Sequence, residues 1–258
     1  VTTDGYSMIN PVALIEFNAK EGPFANPAVR RAISLAIDRQ FMIDNIFFGY
    51  GKPATSALST NFKPTGLYAS MPNYPARGDI ASAKALLDSA GIKPDANGVR
   101  IRAILDLIPY GEDWRRAGEY LKQVLGDIGI KLELRYEDVP TWLKRIYHNY
   151  DFVMNVNYFY QLPDPVLGVH RLYGTDQIRK GTHFVNSSRY SNSELDELLA
   201  SGATEANAQK RTQIYKKIQE ILARDMPVVN LFELQFLTVY NTKLKGAYNS
   251  ALGAYASF

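Results

Sequence analysis

The sequence predicts an α/β domain in which helices flank a mostly parallel sheet. Strand-like and helix-like patterns alternate through its middle, which is typical of parallel strands joined by right-handed helical crossovers. The composition, 46% hydrophobic and 21% charged, is close to that of soluble globular proteins. With 258 residues the chain can bury a large core without disulfides, and it contains no cysteine.

The beginning of the chain predicts one strand, two helices and a long connection. Residues 12–18 form an apolar run typical of a buried strand. Asn26 can cap a helix whose first position suits Pro27, and a second amphipathic stretch follows Asp38. Prolines exclude a long helix from residues 50–77, and a connection of this length is often functional or lies over another part of the protein.

The middle of the chain carries the alternation that indicates the fold class. A helix capped by Asp79 and ended by Gly91 comes first. Three strands and two helices then alternate, in order, at residues 99–107, 112–128, 130–136, 139–149 and 151–158.

The last part begins at an aromatic, proline-rich corner, residues 158–165. A short helix is expected at residues 166–173, and two amphipathic helices follow the capping pattern that starts at Ser191. Two apolar strand-like runs, residues 228–232 and 234–240, precede a tail rich in glycine, alanine and serine.

Composition and charge exclude several classes of function. The 29 basic and 26 acidic residues are spread along the chain, so we expect no nucleic-acid partner. The apolar stretches fall short of the roughly 20 residues that cross a bilayer. The three histidines share no metal-ligand spacing and no cofactor motif is present, so we expect neither a protein-built metal site nor a cofactor.

Four parts of the sequence match motifs that occur together in one protein family. In chain order they are Phe17-Asn18 with Pro23-Phe24 and residues 29–39; Gly49 with residues 51–54, together with residues 79–91; residues 125–134; and Asn186 with residues 189–199, Arg211 and residues 225–229. They resemble motifs of the peptide, nickel and opine solute-binding proteins of bacterial ABC importers, known as family 5. The order is the family's own, over nearly the whole chain.

The resemblance implies a periplasmic-binding-protein-like lobe. Family members are two-lobed receptors, longer than this chain, that close around a solute, and the matching motifs belong to their second half. The chain is therefore expected to be a C-terminal ligand-binding lobe over residues 1–258, with the N-terminal lobe missing. Within it we assign a first strand, helices and connection to residues 12–78, an α/β core to 79–227, and terminal strands that return toward the missing lobe to 228–258.

The resemblance also implies partners and a compartment. The partners would be a small-molecule or short-peptide solute, the permease subunits in the membrane and the missing lobe, with no chemistry performed on the solute. The protein would be exported to the periplasm, with its signal sequence outside this chain. Because one wall of the cleft is absent, the isolated chain is expected to bind its solute weakly or not at all.

Candidate ligand-binding residues lie in the two loops that face ligand in this family, residues 108–114 and 158–165. The carboxyl ends of strands are also where open α/β sheets bind ligands. Tyr110 and Trp114 in the first loop can stack on a solute, or alternatively plug the start of the following helix. The second loop supplies Tyr158 and Tyr160.

Three more residues near the second loop are candidates. Peptide-binding relatives often carry an aspartate, which pairs with the peptide ammonium, where this chain has Gln161, and a neutral amide cannot replace that charge. Asp164 either contacts ligand or caps the next helix. Arg171 can grip a carboxylate with two hydrogen bonds, or alternatively lie on a solvated helix face.

Two other classes of function remain open at this point. A hydrolase would need an acid/base pair from Glu112, Asp113 and Asp164, but no nucleophile, phosphate-binding or metal motif accompanies them. A solute-sensing module on the same fold is the other alternative. The solute itself is undetermined among short peptides, opine-like conjugates, sugar oligomers and chelated metals.

Overall fold

A six-stranded mixed sheet organises the part of the chain described by the computed structural model, residues 1–3, 5–6, 8–243 and 250–252. The strand order is β2-β6-β1-β5-β3-β4. The strands are β1 (Pro11–Phe17), β2 (Gly51–Pro53), β3 (Ile101–Leu107), β4 (Ile130–Arg135), β5 (Met154–Tyr160) and β6 (Val228–Leu234). The α/β class predicted from the sequence is confirmed.

The directions of the strands correct the expectation of a mostly parallel sheet. Only β3 pairs in parallel, with β4 and with β5, whereas the β1–β5, β1–β6 and β2–β6 pairs are antiparallel. The parallel part is the unit whose alternation the sequence displays. The antiparallel half escapes sequence analysis because β1, β2 and β6 are far apart in the chain, and their local patterns do not show which strands pair.

Helices connect the strands and cover the sheet. In chain order they are α1 (Pro27–Ala36), α2 (Arg39–Asn45), α3 (Ile80–Ser89), α4 (Glu112–Gly126), α5 (Val139–Leu143), α6 (Pro165–Gly168), α7 (His170–Tyr173), α8 (Ser193–Thr204) and α9 (Ala208–Asp225). The predicted caps of α1 and α3 are confirmed, because the side chains of Asn26 and Asp79 accept hydrogen bonds from the first turns of these helices. Asp38 caps α2 in the same way. No helix among the described residues is long and apolar enough to cross a bilayer.

Three predicted elements differ from the structure. The helix expected at residues 166–173 divides into α6 and α7. The helix expected at residues 139–149 divides into α5 and a π-helical turn, Lys144–Asn149. The strand expected at residues 234–240 is absent, because beyond β6 the chain makes only an isolated bridge between Thr238 and Thr2. Most of the predicted tail, residues 244–249 and 253–258, lies outside the described residues.

The core lies on both faces of β1, which is why that strand reads as a continuous apolar run. Ala13 and Ile15 face one side, where α1, α3 and α4 add their apolar residues. Leu14 faces the other side, where it meets apolar side chains of α7, α8 and α9. Alternate residues of a strand point to opposite faces, so the central strand binds two helical layers together.

The long connection after β2 lies against α9, as its length predicted. Gln219 of α9 is fully buried and all its hydrogen-bonding groups are used. Its side-chain oxygen accepts bonds from Ser56 Oγ (2.8 Å) and the Ala69 amide (2.9 Å), and its nitrogen donates to the carbonyls of Leu67 (2.9 Å) and Tyr215 (2.8 Å). A single glutamine thus satisfies backbone groups of a connection that has little regular secondary structure.

Candidate functional site

The carboxyl ends of β3, β5 and β6 meet at one edge of the sheet. β5 and β6 both run antiparallel to β1, and β3 runs parallel to β5, so the chain leaves all three strands on the same side. Ligands of open α/β sheets bind beyond such an edge. Both candidate loops from the sequence start there.

A cleft of about 340 Å3 opens at this edge. Its lining is aromatic and apolar apart from one arginine; the residues are Ile108, Tyr110, Tyr158, Phe159, Tyr160, Arg171 and Phe184. The structure therefore brings together four of the seven candidates, namely Tyr110, Tyr158, Tyr160 and Arg171. A concave, mostly apolar surface with a few polar groups is the usual form of a small-molecule site.

The rings of the cleft form a connected cluster centred on Tyr158. Its ring centroid is 6.0 Å from that of Tyr110, 5.7 Å from that of Tyr160 and 6.3 Å from that of Phe236. Trp114 stacks on Tyr158 from behind at 5.8 Å and is only 7% exposed. This corrects the expectation that Trp114 stacks on a solute. Its buried position fits the other role considered from the sequence, a hydrophobic plug at the start of α4, where it also supports the Tyr158 ring.

Sequence analysis did not single out Phe159 and Phe184, which line the cleft, or Phe236, which contacts the ring of Tyr158. Phe184 lies in the loop before α8, and Phe236 follows β6 in the run that was expected to be a strand. Phe236 also contacts Tyr160 at 6.1 Å between ring centroids. Neither residue stands in a motif, and aromatic richness alone was the signal available.

Arg171 is the cationic group of the cleft. Its guanidinium carbon lies 5.5 Å from the ring centroid of Phe159, and Nη2 donates to the Tyr160 carbonyl at 3.0 Å. Nε is buried and has no hydrogen-bond partner in the part of the chain that the structure describes. Burial lowers the pKa of Arg171 below its ordinary value.

Gln161 does not reach the cleft, which corrects the expectation that it faces ligand. It is 3% exposed, its oxygen accepts from the Ser59 amide at 2.7 Å, and its nitrogen donates to the Ala57 carbonyl at 2.8 Å. A carboxylate could not make the second bond, because it has no N–H to donate. At this position the amide holds the long connection against the corner after β5.

Asp164 is likewise occupied within the protein, which corrects its assignment as a ligand contact. Its carboxylate accepts from the Val166 amide at 2.9 Å and caps α6, the alternative considered from the sequence. Both of its oxygens also accept from Nη2 of Arg211, at 2.8 Å each. Glu112 and Asp113, the other two acids proposed for a hydrolase, do not line the cleft, and Glu112 lies 3.7 Å from Arg116.

A second, more polar depression of about 170 Å3 lies on the other side of Phe236. Lys52, Asn61 and Glu233 are among its lining residues. The Glu233 carboxylate accepts from the Thr60 side chain at 2.7 Å, so its charge is directed toward the long connection. No candidate from the sequence lies in this depression.

Two of the three histidines are closer in space than their spacing in sequence indicates. Nε2 of His148, in the π-helical turn, is 3.2 Å from Nε2 of His183, and both side chains are exposed. His170 pairs instead with the Tyr215 hydroxyl at 3.1 Å. Within the described residues, no group of three or more histidine, aspartate or glutamate side chains has the arrangement of a metal site.

Comparisons with known proteins find relatives over most of this chain. Residues 6–180 match the model of the bacterial extracellular solute-binding proteins, family 5, middle part. The glutathione-binding protein GsiB of Salmonella paratyphi A is 26% identical over 237 residues, which cover 90% of this chain and 44% of that protein. The di/tripeptide-binding protein 3 of Pseudomonas aeruginosa is 24% identical over 242 residues, which cover 94% of this chain and 43% of that protein.

Solved structures show the same fold. The substrate-binding protein CtaP of Listeria monocytogenes superposes with a TM-score of 0.74 and 27% identity, covering 87% of this chain and 44% of that one. NikZ of Campylobacter jejuni, solved with Ni(L-His), superposes with a TM-score of 0.79 and 19% identity. The match covers 97% of this chain and 50% of NikZ. The chain thus spans about half of these proteins, and it belongs to the bacterial extracellular solute-binding proteins of family 5.

Proposed function

We propose that this chain is one lobe of a two-lobed receptor that captures a small solute and passes it, unchanged, to an ABC permease in the membrane. The observation that carries the proposal is the aromatic cleft at the carboxyl edge of the sheet, with a cation at its wall. Its open side would be covered by an N-terminal lobe, which fits the share of the relatives that the chain spans. An exported, periplasmic location is part of the proposal.

Within the cleft we assign direct contacts with solute to Tyr110, Tyr158, Tyr160 and Arg171. The tyrosines offer flat apolar faces with a polar tip, which suits solutes that are neither purely apolar nor purely charged. Trp114 would hold the Tyr158 ring in place rather than touch the solute. Tyr110, at 44% exposed, is the ring most accessible to an incoming molecule.

The class of solute that the relatives favour is a short peptide or a peptide-like molecule. Two of the matched proteins are named for binding glutathione and di- and tripeptides. The hydrolase alternative loses support because the acids proposed for it do not line the cleft.

A thermal-shift screen of the full-length protein that contains this chain tests the proposal. Glutathione, dipeptides, tripeptides, opine-like conjugates and oligosaccharides are the probes, and a true solute at about 100 times its Kd adds about 2.7 kcal/mol to the free energy of unfolding. Mass spectrometry of the solute after incubation must show it intact. A solute that is consumed would replace the transport proposal with an enzymatic one.

Variants connect such binding to the cleft. Tyr110→Ala removes an exposed ring of the cleft and should weaken binding of the solute found in the screen by about tenfold. Tyr136→Ala is the matched control, because Tyr136 is 39% exposed and outside the cleft lining. Equal effects of the two substitutions would place the binding site elsewhere.

A further inference from the structure

The residues that line the cleft carry a positive charge and no negative charge. Of the seven lining residues, only Arg171 is charged, and the structure shows no ion pair for it among the described residues. Asp164, an acid of the neighbouring corner, is held by Arg211. The cleft wall therefore presents a positive charge without a compensating carboxylate.

The guanidinium also retains unused hydrogen-bonding capacity. Nη2 donates to the Tyr160 carbonyl, while Nε is buried and has no hydrogen-bond partner among the described residues. A buried charged donor without an acceptor is unfavourable, so an acceptor supplied from the cleft would gain more here than at a solvated arginine. The planar fork of an arginine matches the two oxygens of a carboxylate.

We infer that Arg171 receives a carboxylate of the solute, whose adjoining flat or apolar part packs on the rings of Tyr158, Tyr160 and Phe184. The inference rests on the proposed function and names the chemical class of its substrate as an anionic solute. A free ammonium group finds no carboxylate among the residues that line this cleft, and Gln161 is both neutral and turned away from it. The lobe thus selects for the acid end of a molecule.

Three isosteric fragments test this selection: benzoate, benzamide and benzamidinium have one ring and a planar head group but differ in charge. Binding to the full-length protein is followed by NMR of the arginine Nε–H resonances, with Arg171 assigned by the signal that is lost in Arg171→Lys. We expect saturable shifts of the Arg171 signal with benzoate, at a Kd at least about tenfold below that of benzamide. Benzamidinium should bind more weakly than both.

Arg171 variants supply the second arm of the test. Arg171→Gln should abolish the preference for benzoate over benzamide, and Arg171→Lys, a point charge without the fork, should keep part of it. Arg116→Gln is the control, because Arg116 is an exposed arginine of α4 outside the cleft. Should Arg171→Gln fail to fold, the lysine variant and the fragment series in the unaltered protein still decide the question.

The outcomes separate this inference from the proposed function. Benzoate that shifts exposed arginines as strongly as Arg171, or a preference that survives Arg171→Gln, overturns the role of Arg171 while solute capture stands. Benzamidinium binding as tightly as benzoate does the same. If the screen finds no solute for the full-length protein, the proposed function fails and this inference fails with it.

Discussion

Glu16 is a carboxyl group at the centre of the sheet, with no exposed surface. Its oxygens accept hydrogen bonds from Asn155 Nδ2 (2.8 Å), Asn157 Nδ2 (3.1 Å) and Ser187 Oγ (2.5 Å). Desolvation by burial outweighs these three bonds and raises the pKa of Glu16 to about 7. The folded protein therefore holds a proton here that the unfolded chain releases near pH 4.5.

The pH dependence of stability follows from the direction of that shift. Between about pH 4.5 and 7 the folded state binds more protons than the unfolded state, so stability falls as the pH rises through this window. Glu16→Gln imitates the protonated acid. At pH 4.5 its free energy of unfolding should equal that of the unaltered protein, and at pH 8 it should be higher by about 3 kcal/mol. Urea denaturation at the two pH values measures the difference.

Glu197→Gln is the matched control, because Glu197 is exposed on α8. It should not change the difference in stability between the two pH values. If Glu16→Gln and the unaltered protein lose stability in parallel between pH 4.5 and 8, Glu16 is not the group that titrates.

Arg39 is a second fully buried ionisable residue, and it forms no ion pair with a carboxylate of the described residues. Its guanidinium donates to the carbonyls of Ser34 (2.9 Å), Pro75 (3.0 Å) and Asn230 (3.1 Å), and to Ser34 Oγ (2.8 Å). These bonds join the end of α1, the long connection and β6. Arg39, the last residue of the first family motif, thus has a structural role: it holds three distant segments together.

Arg39→Lys should destabilise the protein although it keeps the charge. An ammonium group cannot reach three diverging carbonyls and a hydroxyl at once, so buried acceptors lose their partners, at a cost of about 2–4 kcal/mol. Chemical denaturation measures this loss, with Arg77→Lys as control because Arg77 is 68% exposed. A loss as small as that of the control would mean that water replaces the guanidinium.

At the scale of elements, the corner between β5 and α6 depends on close backbone contact. A Cβ atom on Gly168, in the last turn of α6, would lie 2.4 Å from Cα and O of Gln161. Backbone atoms cannot yield as a flexible side chain can, so only glycine allows α6 to pack on the corner. This contact fixes the direction in which β5 delivers Tyr158 and Tyr160 to the cleft.

Gly168→Ala should therefore destabilise the protein by about 1–3 kcal/mol and weaken solute binding in the same variant. Gly126→Ala is the control, because Gly126 lies at the end of α4, where an added Cβ would meet no described atom within 4 Å beyond the neighbouring residues and the backbone of its own helix. That substitution should be neutral or stabilise by up to about 1 kcal/mol. Melting temperatures of the two variants provide the comparison, and a tolerated Gly168→Ala would show that α6 can shift.

At the scale of the whole molecule, the cleft is open on one side and does not enclose a ligand. Small-molecule sites cover most of the surface of their ligand, and an open edge leaves the polar groups of a solute in water. We expect the 258-residue chain alone to bind the solute at least about a hundredfold more weakly than the full-length protein. Calorimetry on both proteins measures the ratio, and equal Kd values would show that this lobe forms the complete site.

The two halves of the sheet show how far local patterns reach. Helix caps at Asn26 and Asp79 and the β3-α4-β4 unit were predictable because capping and amphipathic periodicity involve residues a few positions apart. The antiparallel pairing of β1 with β5 and β6 was not, since it joins segments more than 130 residues apart.

The candidate site divides in the same way. Tyr110, Tyr158 and Tyr160 could be placed near the cleft because each follows or ends a predicted strand, and the loops beyond strand ends meet at one edge. Gln161 could not be assigned correctly, because its partner Ser59 is 102 positions away. Asp164 was left between two roles for the same reason, since Arg211, 47 positions away, binds it.

The sequence by itself thus determined the elements, the family and the edge of the sheet at which a solute would bind, because local periodicity and short motifs encode them. The tertiary structure alone decided the direction of half the strands, the withdrawal of Gln161 and Asp164 into internal contacts, and the meeting of Phe236 with Tyr158 and Tyr160. Those outcomes depend on which distant side chains satisfy buried polar groups and fill space, and no local pattern records such choices.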